Sequence, residues 1–331
     1  MQAEIPVIFD ADVIVAGGES GGVAAARAAA AAGARVFLAS AETYPGADIC
    51  ATGRLWSGAR AAAGAPLARE LFFAKDGARL PYVRPMDVKR TLEEALLAAG
   101  VTFLYGCAPA DLLTDADGRL AGMVFTSKNG RFAVRGRAIV DASFSARAAR
   151  AAGLPFSDGA AGKTVFKQVV LGHRADGDTG KRGRSLGMVA GPGGAEPVEA
   201  FEYTFSLTVA RWTPDGLAAA ERTVRDAVWH RDQNWLADRP WYVPAVALRT
   251  RKPAATLQGD APFATARDGL WVIGPCAAVT RPLAARLLEP GTALAVGDRV
   301  GRAAAARAVA ATVRGALRGL HPRVAPEVRE P

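Results

Sequence analysis

The sequence predicts an α/β protein. A parallel sheet carries helices on its faces, an antiparallel meander adjoins it, and a smaller α+β unit is inserted in the chain. Three observations carry this prediction. A short apolar run, DVIVA at 12–16, passes through GGESGG into an Ala-rich helix former and then into a second apolar run, RVFLA at 35–39. The turn signals DADG and SKNG break residues 107–140 into short runs. Buried-strand patterns return at 139–143 and 269–274.

Each element follows in order. DVIVA reads as a buried strand, AAARAAAAAGA as a helix ending at Gly33, and RVFLA as the next strand. Together they make a βαβ unit of ordinary size, with a right-handed crossover. Residues 41–66 read as an extended loop with short helical turns. MDVKRTLEEALLAAG at 86–100 is an amphipathic helix, with Asp87 as N-cap and Gly100 as its stop. VTFLY at 101–105 is a third strand, expected to pair in parallel. A hairpin or meander fills 107–140, IVDAS at 139–143 is a buried strand, and ARAARAAG at 146–153 is a short helix.

Residues 156–200 are rich in loops but contain the strand pattern KTVFKQVVLG. VEAFEYTFSLTV at 198–209 alternates and reads as another strand. A helix is expected at 215–232, followed by a proline-interrupted strand, WYVPAVALRTR. GLWVIG at 269–274 is a strand, and residues 291–317 form one long Ala-rich helix. The expected division is therefore a discontinuous domain of 1–155 and 262–320, a smaller domain at 156–261, and a loose tail at 321–331.

With 331 residues, 50% of them hydrophobic, the chain can bury a full core. No apolar run reaches the roughly 20 residues a membrane span needs. The N-terminal residues carry no signal-peptide pattern. Cys50, Cys107 and Cys276 are widely spaced, which argues against a zinc site or disulfide framework and for reduced thiols in a cytoplasmic protein. The net charge is +9, but the arginines are scattered and no base-reading motif occurs, so no nucleic-acid partner is expected. KRGR at 181–184 is the densest basic cluster and sits in a Gly-rich loop.

The turn at 16–22 carries the chemistry. Glycine removes the Cβ that would block a sharp turn, lets backbone approach a pyrophosphate, and lets the helix pack close to its strand. The helix N-terminus then offers free N–H donors and a positive dipole end. Gly18 and Gly21 meet the second and third glycine positions of G-x-G-x-x-G, while Ala16 stands at the first. The acid that would hold an adenosine ribose is expected at position 40, which is Ser40, with Glu42 two residues on. No basic residue is there to receive a 2′-phosphate.

DVIVAGGESGGVAAARAAAAAGARVFLAS resembles the opening of FAD-dependent oxidoreductases with the glutathione-reductase-like fold. The fumarate-reductase and succinate-dehydrogenase-like branch is the most similar. The resemblance continues in PMDVKRTLEEALLAAGVTFLYG, in DGRLAGMVFTSKNGRFAVRGRAIVDAS and in DGLWVIGPCAAV. It implies a Rossmann-like FAD-binding domain with an inserted substrate or cap domain. Ala16, Gly17, Gly18, Ser20 and Gly21 would line the pyrophosphate, and Ser40 and Glu42 would face the ribose. The loop 46–52, with Asp48, Ile49 and Cys50, would follow the ribityl chain and flavin. Ala108 and Pro109 would offer backbone to adenine. Ala142 lies in VDASFSA, where the family shows V-D-A-T-G-D. Gly274 and Pro275 would belong to a second flavin motif. Thr292, Ala293 and Leu294 would open the last helix toward the flavin.

Further candidates stand beside plainer readings. Cys50 is a redox partner, a covalent flavin attachment point or a packed small residue, the last being favoured. Arg54 and Trp56 orient an anionic substrate or stack on a ring, or simply pack the loop. His173 and His230 are candidate general acids or bases, His321 falls in the tail, and each is set against surface or core filler. Arg249, Arg251 and Lys252 form a carboxylate clamp or a solvated strand end. Trp229, Trp235 and Trp241 line a pocket or plug the smaller domain against the sheet.

The expected function is a flavoenzyme that transfers a hydride between a small organic substrate and FAD. The alternative is a non-catalytic or degenerate flavin-binding subunit acting with a partner protein. An NAD-dependent dehydrogenase is the weaker third reading. Association as a homo-oligomer or with a partner subunit stays open.

Overall fold

The computed structural model describes residues 5–56, 65–157, 159, 162–174, 182–191, 196–311 and 315–320. Strand β1 (Val7–Asp10) comes first. β2 (Val13–Ala16) is buried at all four positions and leads through the glycine turn into α1 (Ser20–Ala31). β3 (Val36–Ser40) lies parallel to β2, with Ala16 opposite Ala39. Short helices α2 (Ala47–Cys50) and α3 (Pro66–Phe72) precede α4 (Pro85–Ala98) and β4 (Thr102–Tyr105), which pairs in parallel with β3.

The meander follows as β5 (Ala108–Thr114), β6 (Leu120–Ser127) and β7 (Gly130–Arg135), antiparallel in sequence. β1 adds to its edge in parallel with β7. β8 (Ala138–Asp141) then returns to the first sheet beside β2, ahead of the short helix α5 (Arg147–Ala151). A third sheet holds β9 (Gly162–Leu171), β10 (Arg184–Val189), β11 (Val198–Val209) and β12 (Trp235–Leu236), with helix α6 (Pro214–Val228) against it. β13 (Leu270–Val272), α7 (Arg281–Leu287), α8 (Pro290–Ala310) and β14 (Arg318–Gly319) close the chain.

The parallel sheet has the order β13-β8-β2-β3-β4. The meander sheet runs β1-β7-β6-β5-β14 and the third sheet β10-β11-β9-β12. The main core joins the parallel sheet to α1, α4 and α8, while Phe166, Phe201, Tyr203 and Val224 centre a separate core under the third sheet. No described helix is long and apolar enough to cross a membrane.

Five expectations are corrected. Helix α4 is entered at Arg84 with Pro85 as its first residue, so Asp87 is not the N-cap. Proline suits that position because its fixed φ is already helical and the missing N–H had no partner to lose. Asp87 instead sits in the first turn and pairs with Arg84 at 2.8 Å. Residues 241–251 form only isolated bridges, Lys167 to Trp241 and Phe156 to Leu248. Pro240 and Pro244 deny that segment two ladder donors.

Helix α6 stops at Val228, four residues early, because the Gln233 side chain takes over there. Its Nε2 donates to the Val228 carbonyl and its Oε1 accepts from His230 N. The last helix ends at Ala310 rather than 317, and Arg318–Gly319 are drawn to the β5 edge as a short antiparallel strand. β10 forms where only a loop was read, by pairing with β11. The tail at 321–331, with His321, lies outside the described residues, as does Lys181.

Helices α1 and α8 touch backbone to backbone. A Cβ added at Gly297 would lie 1.9 Å from the Gly21 carbonyl oxygen. Gly297→Ala must therefore push the helices apart, at a cost of about 1–3 kcal/mol for an overpacked core. Thermal denaturation should show a lowered midpoint; an unchanged midpoint would sink the argument.

Candidate functional site

Strands β2, β8 and β3 end side by side at Ala16, Asp141 and Ser40. A crevice outside the carboxyl ends of parallel strands is where an α/β sheet receives its ligand. The turn from Gly17 to Glu19 borders it. Gly17 has φ +122°, and a Cβ there would lie 2.6 Å from Glu19 Oε2 and 2.7 Å from Ser143 N. Only glycine fits both the angle and the space. The turn is anchored by Gly17 N donating to Ala39 O and Gly46 N donating to Gly18 O, each at 2.7 Å.

Glu19 is the N-cap residue of α1, and Asp48 reaches the same helix end from α2. Ser20 N donates to Asp48 Oδ1 at 2.8 Å and Ser20 Oγ donates to Oδ2 at 2.5 Å. Glu19 is less well served. Phe144 N donates to its Oε1 at 3.4 Å, and its Oε2 is buried without a partner. Burial, and then the nearby Asp48 charge, push Glu19 up to about 7. Burial also raises Asp48, against the pull of its two Ser20 bonds. Burial raises Asp141 to about 6, although its carboxylate accepts from Ser143 N, Ser143 Oγ and Ala149 N.

The crevice holds two cavities. One, of about 80 Å³, lies against Gly17, Ser40, Glu42, Pro109, Ser143 and Arg147. The other, of about 70 Å³, lies against Asp48, Thr52, Arg54, Glu221, Trp241 and Tyr242. Glu19, Phe144 and Arg239 line both. Arg239 reaches across from the later segment to pair with Glu42 at 3.1 Å. Arg54 is half-buried, with its guanidinium 4.3 Å from the Trp241 ring centre and a hydrogen bond to the Leu288 carbonyl. Burial lowers its pKa. Tyr242 donates to Glu221 Oε1 at 3.1 Å; burial and that carboxylate raise its pKa, so it keeps its proton at neutral pH.

The expected site residues fall into two groups. Gly17, Ser40, Glu42, Pro109 and Asp48 line the cavities. Gly18 and Ser20 bond within the turn, and Gly21 packs on Ala293 of α8. Ser40 Oγ accepts from Glu42 N at 3.2 Å. Ala16, Ile49 and Leu294 are fully buried, so they support the crevice from behind. Ala142, Gly274 and Pro275 lie buried beneath it, and a Cβ on Gly274 would meet Ser143 O at 2.6 Å. Ala108, Thr292 and Ala293 are half-buried and line neither cavity.

Cys50 is buried, its Sγ lies 3.5 Å from Pro85 O, and burial pushes it up to about 12. It is a protonated, packed thiol. Trp56 and Trp235 pack against Val169, Leu171 and Val189. Trp229 is 62% exposed and plugs nothing. His173 and His230 stack on each other with ring centres 3.8 Å apart, and neither lines either of the two crevice cavities. Arg249, Arg251 and Lys252 are exposed and line neither cavity.

Sequence reasoning missed Glu19, Phe144, Arg147, Glu221, Arg239 and Tyr242 as crevice residues. Glu19 had a signal: it is the one acid inside a turn built to receive an anion. The residues from 221–242 had none, because they reach the turn only through the folded third sheet.

A model of FAD-dependent oxidoreductases matches residues 12–242. Solved structures share the fold at low identity. OxyS anhydrotetracycline hydroxylase from Streptomyces rimosus is 19% identical with a TM-score of 0.50, over 90% of this chain and 62% of that one. Aklavinone-11 hydroxylase, solved with FAD and aklavinone, is 14% identical with a TM-score of 0.52, over 89% and 62%. p-Nitrophenol 4-monooxygenase PnpA from Pseudomonas putida DLL-E4 is 14% identical with a TM-score of 0.50, over 92% and 82%. The chain thus spans 62% of the length of either hydroxylase. A search of curated proteins returned no match.

The raised carboxyls set a pH dependence. A carboxyl whose folded pKa lies above its ordinary value stabilises the fold fully below that ordinary value and loses the contribution as pH rises through the folded pKa. For Glu19 this window runs from 4.5 to about 7, and for Asp141 from 3.8 to about 6. Urea midpoints of the cofactor-free protein should therefore fall between pH 5 and pH 8. Glu19→Gln should remove the part of the fall centred near 7. A midpoint that rises over this range would contradict the assignment.

Proposed function

This chain belongs to the FAD-dependent oxidoreductase family, with FAD as cofactor, and on that premise we propose that it transfers a hydride between a small organic substrate and flavin. One observation carries the reading. The crevice at the ends of β2, β3 and β8 has a glycine turn on one side and an aromatic, arginine-bearing wall from residues 221–242 on the other.

The residues fit the cofactor. Gly17 holds the tight left-handed turn ahead of α1, and the N-terminus of that helix borders the crevice. Arg54, Arg147 and Arg239 offer positive charge along the two cavities. Gly17, Gly18 and Ser20 would hold the pyrophosphate, with Ser40 at the adenosine ribose. Bound FAD supplies a ring that accepts the two electrons of a hydride.

The chain's own groups do the rest. Arg54 and Trp241 form a fixed wall, because the guanidinium is stacked and bonded at once. Tyr242 holds a proton beside Glu221 and can orient a substrate oxygen. A substrate with an aromatic or anionic part suits this lining. Within the family, the segments at 85–106 and 117–143 favour the fumarate-reductase-like branch. The buried thiols suit a reducing cytoplasm.

A second reading has its own support. Ser40 replaces the ribose acid, and the cavities of about 70 and 80 Å³ are narrow. A degenerate flavin-binding subunit that serves a partner protein would tolerate both.

The absorbance spectrum of purified protein, before and after acid precipitation, separates these readings. The flavoenzyme reading expects visible flavin bands, released into the supernatant by acid and bleached by a suitable reductant. Gly17→Val should lose the bands, because its side chain would collide with Glu19 and the backbone at 142–143 and break the turn. Colourless wild-type protein that takes up no added FAD would overturn the flavoenzyme.

A further inference from the structure

We propose that Glu19 is an internal gate on the cofactor crevice: its carboxyl occupies space the pyrophosphate must enter, and it must be protonated and turned aside for FAD to bind. The inference rests on the FAD reading above and goes beyond it, because it makes cofactor loading a proton-coupled step.

Geometry comes first. The crevice is split into cavities of about 80 and 70 Å³, whereas sites for ligands of drug or cofactor size run to roughly 300–1,000 Å³. A cofactor that spans both halves needs the partition removed. Glu19, Phe144 and Arg239 are the residues common to both halves. Arg239 is tied to Glu42 at 3.1 Å, and the Phe144 ring packs edge-on to Tyr242 at 5.3 Å. Glu19 is the least restrained of the three, with one long bond at Oε1 and a buried Oε2 that has no partner. Turning it out releases an unsatisfied atom to water, which favours the motion.

Electrostatics give the gate its proton dependence. The positive end of α1 is already used by the chain's own acids: Asp48 takes Ser20 N, and the Glu19 carboxylate is stabilised by its own backbone N–H. An incoming pyrophosphate competes with both for the donors that would bind it.

The charged groups around Glu19 come from every side. Asp48 on α2 and Glu42 after β3 repel it and Arg239 attracts it; Glu221 on α6, Arg54 and Arg147 line the same two cavities. Burial and Asp48 outweigh Arg239 and hold Glu19 near 7, so it exchanges its proton at neutral pH. A pyrophosphate beside it raises its proton affinity further, so binding draws one proton from solvent. Affinity is then constant below about pH 6 and weakens toward tenfold per pH unit above 7.

The test is the dissociation constant of FAD, read by quenching of flavin fluorescence on cofactor-stripped protein at pH 6.0, 7.0 and 8.5. Wild type should weaken by about 30-fold from pH 6.0 to 8.5, as expected for one group titrating near 7. Glu19→Gln, of nearly the same shape, should bind with little pH dependence and more tightly than wild type at pH 8.5. A second measurement needs no variant: calorimetry at pH 8 in two buffers of different ionisation heat should report close to one proton taken up per FAD. Wild-type affinity that does not change with pH, no proton uptake, or a Glu19→Gln protein that keeps the full slope would overturn the gate and leave the flavoprotein standing. Failure of both proteins to take up FAD at every pH would overturn the gate and the flavoprotein together.

Discussion

No side chain separates α1 from the backbone on either side of it, and the rest of the molecule depends on that. On one side, a Cβ at Gly22 would lie 2.1 Å from the Gly17 carbonyl oxygen. On the other, Gly297 and Gly301 of α8 press on the carbonyls of Gly21 and Ala25. The helix is thereby held directly over the end of β2 and beside β8, with its N-terminus, where Asp48 takes Ser20 N, at the crevice. The same constraint explains why Ala16 is tolerated where a glycine was expected. The left-handed conformation belongs to Gly17, whereas Ala16 is an ordinary, fully buried strand residue. Gly17 makes the sharp turn and Gly22 the close helix–strand contact, so Glu19 stands where the second glycine of the fingerprint would.

Much of this frame was legible because its elements follow local rules. Two apolar strands around a glycine turn can make little else, and DADG and SKNG punctuate the meander where the structure turns. What was not legible depends on distant partners. β1 is a strand because β7 offers it an edge, and β10 because β11 does. The 241–251 segment carried a strand-like composition, but Pro240 and Pro244 outweigh it. The crevice was half legible for the same reason. Ser40, Glu42 and Asp48 sit on the βαβ unit and its loop, whereas Arg239 reaches Glu42 across 197 positions of chain. No local pattern encodes such a contact.

Net charge misleads about the crevice. The chain carries +9 overall, yet Glu19, Glu42, Asp48 and Glu221 all face the two cavities. Several of the scattered arginines are engaged elsewhere: Arg84 and Arg90 on Asp87, Arg137 on Asp12, Arg302 on Asp298 and Arg307 on Asp268. Arg239 belongs to the crevice but is engaged by Glu42, and Arg54 is stacked on Trp241. The local field at the phosphate turn is therefore a near balance of short-range terms. One proton added to or removed from a buried acid can tip it, as no change at the surface can.

Comparison of Asp141 with Glu19 shows which acid is suited to moving. Asp141 is fully buried and Glu19 half-buried with one oxygen shut off from water beside the same turn, and burial raises both. Asp141 accepts three hydrogen bonds, two from backbone amides, and these fasten the end of β8 to the start of α5. Displacing it would break all three and loosen the sheet. Glu19 accepts a single long bond from another residue and leaves one oxygen bare. Burial lifts both from their ordinary values by a similar amount, so what distinguishes them is the set of donors that fastens each in place. A carboxylate that is fully bonded is part of the scaffold, and one that is underbonded is held in place mainly by packing. Any rearrangement that opens this crevice therefore costs least if it begins at Glu19, with β2, β8 and α1 left where they are.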